Sequence, residues 1–287
     1  MTVIGAFRRR VIRARVRLYV ERGSRHCKQA RYAEAERDLW QALDLAERVF
    51  GPQSPELIGP LNQIGVLYKY WGRFEEAEPL YFRALALARA AKDQAAIATL
   101  QHNLGGLYHA RGAYEQAEMY ARAAVAIRIG LRGANELEVA ADEAALAAIL
   151  DAESKTVEAE QLLRRALETF ERRLGSGHYE VAATLNNLAA VLGRSGALDA
   201  AEPLYRRALA IKRRLLSNEH PEVAVILNNL AVLELERGTR AEALALVRRA
   251  QRIAAASLPT AHPTRQACEA NVEKIAAWPT GVDVQPH

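Results

Sequence analysis

The sequence predicts an all-α fold: a right-handed superhelical solenoid of helix-turn-helix repeats with a C-terminal capping helix. Three observations carry this. The pentapeptide LNNLA occurs at Leu185–Ala189 and again at Leu227–Ala231. Small residues recur around it in one register along most of the chain. Aromatic residues make up only 6 % of a chain that is half apolar, which suits closely packed helices better than a sheet sandwich.

Aligned on LNNLA, successive copies begin at Leu61, Gln101, Glu143, Leu185 and Leu227, and an earlier copy has Lys28–Gly51 as its second half. The step is 40 residues between the second and third copies and 42 elsewhere. Each copy reads as two helices. Gly23, Gly65, Gly105, Ala147, Ala189 and Ala231 mark the first helix. Ala35, Ala77, Ala117, Ala159, Ala201 and Ala243 follow twelve residues later, and Ala42, Ala84, Ala124, Ala166, Ala208 and Ala250 seven beyond those. Small side chains at these places let two antiparallel helices approach. Gly72, Gly112, Gly196 and Gly238 end first helices, with Ala30 and Ser154 at that place in the first and fourth copies. Leu67, Tyr68, Leu80 and Tyr81 fill the layer between hairpins. Pro79 and Pro203, in register near the start of second helices, are tolerated there. SPEL at Ser54–Leu57, HYEVA at His178–Ala182, HPEVA at His220–Ala224 and HPT at His262–Thr264 open first helices. The last begins a half-repeat through ACEANVEKIAAW, the capping helix. Residues 1–14 are then a basic arm or the start of a capping helix, 15–278 a single solenoid of about six repeats, and 279–287 a flexible tail.

This spacing of small residues resembles the tetratricopeptide repeat. LNNLA, AEPLYRRALAI (Ala201–Ile211) and HPEVA resemble the kinesin-light-chain type of that repeat. Kinesin light chains carry a heptad segment that joins the motor; none precedes these repeats, so motor-subunit identity is not expected. The resemblance implies a non-enzymatic interaction scaffold that holds a peptide segment of a partner in a concave groove lined by first helices. It also implies that the second amide of each pair contacts ligand backbone: Asn103, Asn187 and Asn229, with Gln63 as a longer stand-in. Asn62, His102, Asn186 and Asn228 occupy the adjacent place. An amide row suits an extended peptide because each amide both donates and accepts. The same asparagines can instead bridge neighbouring first helices, and the two roles are compatible. Lys69, Tyr70, His109, Asp151, Arg194 and Glu236, farther along these helices, vary between copies as specificity determinants do. The fourth copy replaces the amides with Ala144 and Ala145.

Charge is unevenly spread. The net charge is +5, yet residues 1–31 carry ten basic side chains against Glu21 alone. The stretch AFRRRVIRARVRLYVERG from Ala6 mixes apolar residues with arginine. It can cap the stack, lie on anionic lipid or nucleic acid, or dock on an acidic protein. No apolar run approaches the roughly 18–20 residues that span a bilayer, and no apolar segment resembles a secretory leader. Two cysteines exclude a disulfide framework and suit a reducing cytoplasm. Arginine outnumbers lysine 33 to 6, which points to a GC-rich bacterial genome.

No enzyme signature occurs, and neither a cofactor nor a small-molecule substrate is expected. His178, His220 and His262 lie 42 residues apart, one per inter-repeat corner, too far apart to share a metal. His102 and His109 share a helix face without a third ligand. Glu118–Arg122, Glu160–Arg164 and Glu202–Arg206 read as solvated i,i+4 pairs on second helices. The double arginines at Arg164, Arg206 and Arg248 read as a solvated outer stripe or a surface for an acidic partner.

Overall fold

A computed structural model describes residues 3–131, 133 and 135–279, with backbone alone at residues 3–6. Among the described residues there are thirteen α-helices and no strand. Five pairs form hairpins: α1 (Val3–Lys28) with α2 (Tyr32–Phe50), α3 (Ile58–Trp71) with α4 (Phe74–Ala90), α5 (Gln94–Ala110) with α6 (Tyr114–Gly130), α9 (Tyr179–Arg194) with α10 (Leu198–Leu215), and α11 (Pro221–Glu236) with α12 (Arg240–Ser257); α7 (Glu136–Ala152) and α8 (Thr156–Leu174) follow α6 in the chain, and α13 (Pro263–Ala277) follows α12. The chain divides into two compact units, Met1–Ile149 and Leu150–His287. From residue 280 onward the expected tail lies outside the described residues.

The small-residue register sits where helices meet. All twelve alanines of the two second-helix positions are fully buried. At Gly65 a Cβ would lie 2.7 Å from the ring of Tyr81, so only glycine lets α3 approach α4. The turns that end first helices use left-handed backbone at Gly72, Gly112, Gly196 and Gly238, and equally at Ala30 and Ser154. Lys92 is a third non-glycine residue with positive φ. It occupies the tight link after α4, followed by Asp93, whose Oδ1 accepts the Ala96 amide at 2.9 Å. This link stands where the repeat step shortens to 40 residues. Helices α4 and α10 continue through Pro79 and Pro203.

His178, His220 and His262 are N-caps. Each Nδ1 accepts the backbone N–H two residues on, at 3.2, 3.2 and 3.1 Å. Where HP occurs, proline fills the first helical position, which has no donor to lose. Within the first unit α1 packs on α3 and α3 on α5; within the second, α9 packs on α11 and α11 on α13. Helix α13 closes the second unit: Ile275 joins Ala231, Leu235, Ala243 and Val247, with Val272 packed against them. Arg240 donates from Nε to the Ile275 carbonyl at 3.1 Å and from Nη2 to the Ala276 carbonyl at 2.6 Å, satisfying the end of α13. No described helix is long and apolar enough to cross a membrane.

Candidate functional site

Because consecutive first helices pack on one another, residues at one register form a row across each unit. The asparagines occupy that row and bond along it. In the first unit Asn103 Nδ2 donates to Asn62 Oδ1 at 2.7 Å, and Ser24 Oγ donates to Gln63 Oε1 at 2.9 Å. In the second, Asn229 Nδ2 donates to Asn186 Oδ1 at 3.2 Å, and Asn271 Nδ2 to Asn228 Oδ1 at 3.0 Å. The three asparagine pairs follow one rule: the second amide of one copy donates to the first amide of the copy before. This is why poor helix formers persist inside these helices, since each bond offsets the propensity cost with about 1 kcal/mol. Asn271 belongs to the row and was legible as the residue 42 after Asn229, though α13 carries no LNNLA.

Asn187 differs from the others. Its Oδ1 accepts from its chain neighbour, Asn186 Nδ2, at 3.2 Å. Asn103 and Asn228 are buried, whereas Asn62, Gln63, Asn186, Asn187 and Asn229 are half-buried. Inter-helix bonds occupy Oδ1 of Asn62 and of Asn186, while among the described residues Nδ2 of Asn62 and Asn187 keep hydrogens to donate.

His102, at the first place of the third copy, meets a carboxylate instead of an amide. Its Nδ1 lies 2.8 Å from Asp142 Oδ1. Asp142, 2 % exposed, accepts from Arg128 Nε at 2.9 Å. Arg128, equally buried, donates from Nη1 to Glu138 at 2.8 Å. The second unit repeats this at Lys212, whose Nζ donates to Glu222 at 2.5 Å and lies 3.1 Å from the Tyr179 ring centroid. Sequence reasoning missed these buried pairs. The available signal was a basic residue directly after an isoleucine in the last turns of both helices, Ile127–Arg128 in α6 and Ile211–Lys212 in α10.

The variable positions are basic or aromatic in the first unit and of mixed charge in the second. In the first, the Lys69 ammonium lies 5.3 Å from the Tyr70 ring centroid and meets no carboxylate among the described residues. A Cβ at Gly106 would come within 3.1 Å of Lys69 Nζ, so that glycine leaves room for the ammonium. Burial lowers the Lys69 pKa. Burial, and then the charge of Lys69, lowers that of His109. In the second unit Arg194 Nε donates to Asp151 at 3.0 Å. Partial burial of the Glu236 carboxyl raises its pKa, against the lowering charges of Lys274 and Arg194. Structure thus pairs Lys69 with His109 and Arg194 with Asp151, while Tyr70 is exposed.

The expected i,i+4 pairs are present at Glu118–Arg122 (2.8 Å), Glu160–Arg164 (2.7 Å) and Glu202–Arg206 (2.6 Å). Arg206 extends beyond a solvated pair, reaching buried Glu234 at 3.4 Å and Glu242 at 3.0 Å. Among the described residues no group of three or more His, Cys, Asp or Glu could hold a metal ion.

Comparison with known proteins agrees with this architecture. The profile of the tetratricopeptide repeat family matches residues 15–90, 96–172 and 180–256. The mitochondrial tetratricopeptide repeat protein 19 homolog of Drosophila melanogaster is 33 % identical over 97 residues, 34 % of this chain and only 26 % of that protein. The crystal structure of BtubC (BKLC) from P. vanneervenii superposes with a TM-score of 0.56 at 27 % identity, covering 84 % of this chain and 91 % of that one. NprR, solved in complex with its cognate peptide NprX, shares the fold at a TM-score of 0.65 and 14 % identity, covering 91 % of this chain and 71 % of that one. With its helices in one repeating register and the family profile matched over most of its length, the chain belongs to the tetratricopeptide repeat family, with repeats of the kinesin-light-chain-like type.

Proposed function

We propose that the protein is a non-enzymatic scaffold that captures an extended peptide segment of a partner along its first helices. The observation that supports this most is the half-buried amide row, whose Asn62 and Asn187 keep Nδ2 hydrogens for a main-chain carbonyl. Backbone capture by amides gives affinity without fixing sequence. Sequence choice then falls to the variable positions. Lys69 lacks a carboxylate and sits beside His109, so a partner segment crossing the first unit is expected to place an acidic side chain there. A tetratricopeptide fold holds a cognate peptide in NprR. The two-cysteine, arginine-rich composition suits a bacterial cytoplasm.

Asn187 is the sharpest probe because its amide bonds only within its own helix. Peptides selected from a random library on the immobilised protein are expected to lose at least tenfold in affinity on Asn187→Ala, with Tm nearly unchanged. Asn229→Ala, which also removes the bond to Asn186, is expected to lower Tm as well. Unchanged peptide affinity in both variants, with a lower Tm in Asn229→Ala, reduces the row to inter-repeat bonding and sinks the groove reading.

A further inference from the structure

Helix α1 carries two apolar faces. One is packed: Val16 is buried, and Ile12, Tyr19 and Val20 are half-buried. The other is exposed: Phe7 at 70 %, Val11 at 48 %, Leu18 at 59 %, and Ala14 between them. At about 100° per residue, Phe7, Val11, Ala14 and Leu18 fall within roughly 60° of one another, on the side opposite the packed face. They form a ridge about 16 Å long.

The flanks of this ridge are arginines. Arg10 and Arg17 border one side, Arg8 and Arg15 the other, and Arg25 continues its line. None of these five meets a carboxylate among the described residues. Of the α1 arginines, Arg13 and Arg22 are the ones that meet a carboxylate among the described residues, Glu56 at 2.7 Å and Asp38. The Arg13 guanidinium lies 5.3 Å from the ring of Phe50, the last residue of α2. The part of α1 ahead of Arg13 therefore runs on past the end of its hairpin partner, which leaves Phe7 and Val11 exposed.

We propose that this face of α1 docks in the plane of an anionic lipid surface. Phe7, Val11 and Leu18 sink between headgroups while the flanking arginines bind the lipid phosphates and carboxylates around them. Charge decides the occupant. A second copy on the same face would set arginines against arginines. A nucleic acid calls for charge along the middle of the face, where this helix is apolar. A headgroup layer over hydrocarbon supplies both an apolar medium for the ridge and anions for its borders. The site is separate from the amide row and independent of the peptide reading.

Sedimentation of the full chain with vesicles tests this, using phosphatidylcholine alone and phosphatidylcholine mixed with phosphatidylserine. The protein is expected to sediment with the mixed vesicles and not with the neutral ones, and to be released as salt rises. The triple variant Phe7→Ser, Val11→Ser, Leu18→Ser is expected to weaken vesicle binding at least tenfold. The triple variant Arg10→Gln, Arg15→Gln, Arg17→Gln is expected to weaken it about a hundredfold. These side chains are exposed, so both variants are expected to keep the wild-type circular dichroism and Tm. Three results overturn the proposal: no sedimentation with mixed vesicles, vesicle binding indifferent to the serine substitutions, or a dimer in solution that the serine substitutions abolish. Tighter binding to labelled duplex DNA than to mixed vesicles, unaffected by the serine variant, assigns the face to nucleic acid and overturns it as well.

Discussion

Ala30 and Ser154 take φ values of 57° and 62°, in the left-handed region where a Cβ costs about 1–2 kcal/mol. Ala30→Gly and Ser154→Gly are each expected to stabilise by about 0.5–1 kcal/mol, seen as a higher Tm in thermal melts. The sequence shows this strain, since four other copies place glycine there. It does not show Lys92, because that residue lies in a shortened link with no counterpart elsewhere. Cys268 is fully buried, and burial pushes its thiol up to about 11. At about pH 8 it is therefore protonated and shielded, and Ellman's reagent is expected to reach it only after denaturant is added. A fast native reaction traced to Cys268 by peptide mapping contradicts that placement.

At the scale of the helix, boundaries and caps were the most legible features and cross-helix bonds the least. A His or Ser followed by Pro and Glu, or by Tyr and Glu, states where a first helix starts, because cap chemistry is local. The burial of Arg128 is not local. On α6 it reads as one more solvent-facing arginine, and only packing against α7 places Asp142 and Glu138 around it. Removing its buried partner leaves an uncompensated charge, so Asp142→Ala is expected to destabilise by about 3–5 kcal/mol. Asp142→Asn, which keeps an acceptor, is expected to cost less. Equal losses in chemical denaturation would show that the negative charge of Asp142 is what matters, and not the acceptor. The amide row falls between these cases: its period is written in the sequence, but which amide meets which depends on the spacing of stacked helices.

For the whole molecule, hairpin repeats are stabilised mainly by their neighbours, so the last one needs a cover. Ending the chain after Leu258 removes α13 and bares Leu235 and Val247 of the second unit. That truncation is expected to lower stability by several kcal/mol and to cause concentration-dependent association in analytical ultracentrifugation. The small-residue register made the order of the helices readable from sequence alone. It did not reveal the division at Ile149–Leu150, which falls in the fourth copy, where Ala144 and Ala145 interrupt the amide pairs.

The direction of the amide bonds also bears on how such a chain can grow. Each bond joins unlike places: a donor in the second position and an acceptor in the first position of the copy before. Residues 179–220 contain both, as Asn187 and Asn186. A tandem duplication of that segment would arrive already supplied with a partner at each of its two borders. Duplication of the segment bearing Ala144 and Ala145 would arrive with neither. Lengthening by simple copying is thus open to some repeats of this protein and closed to one.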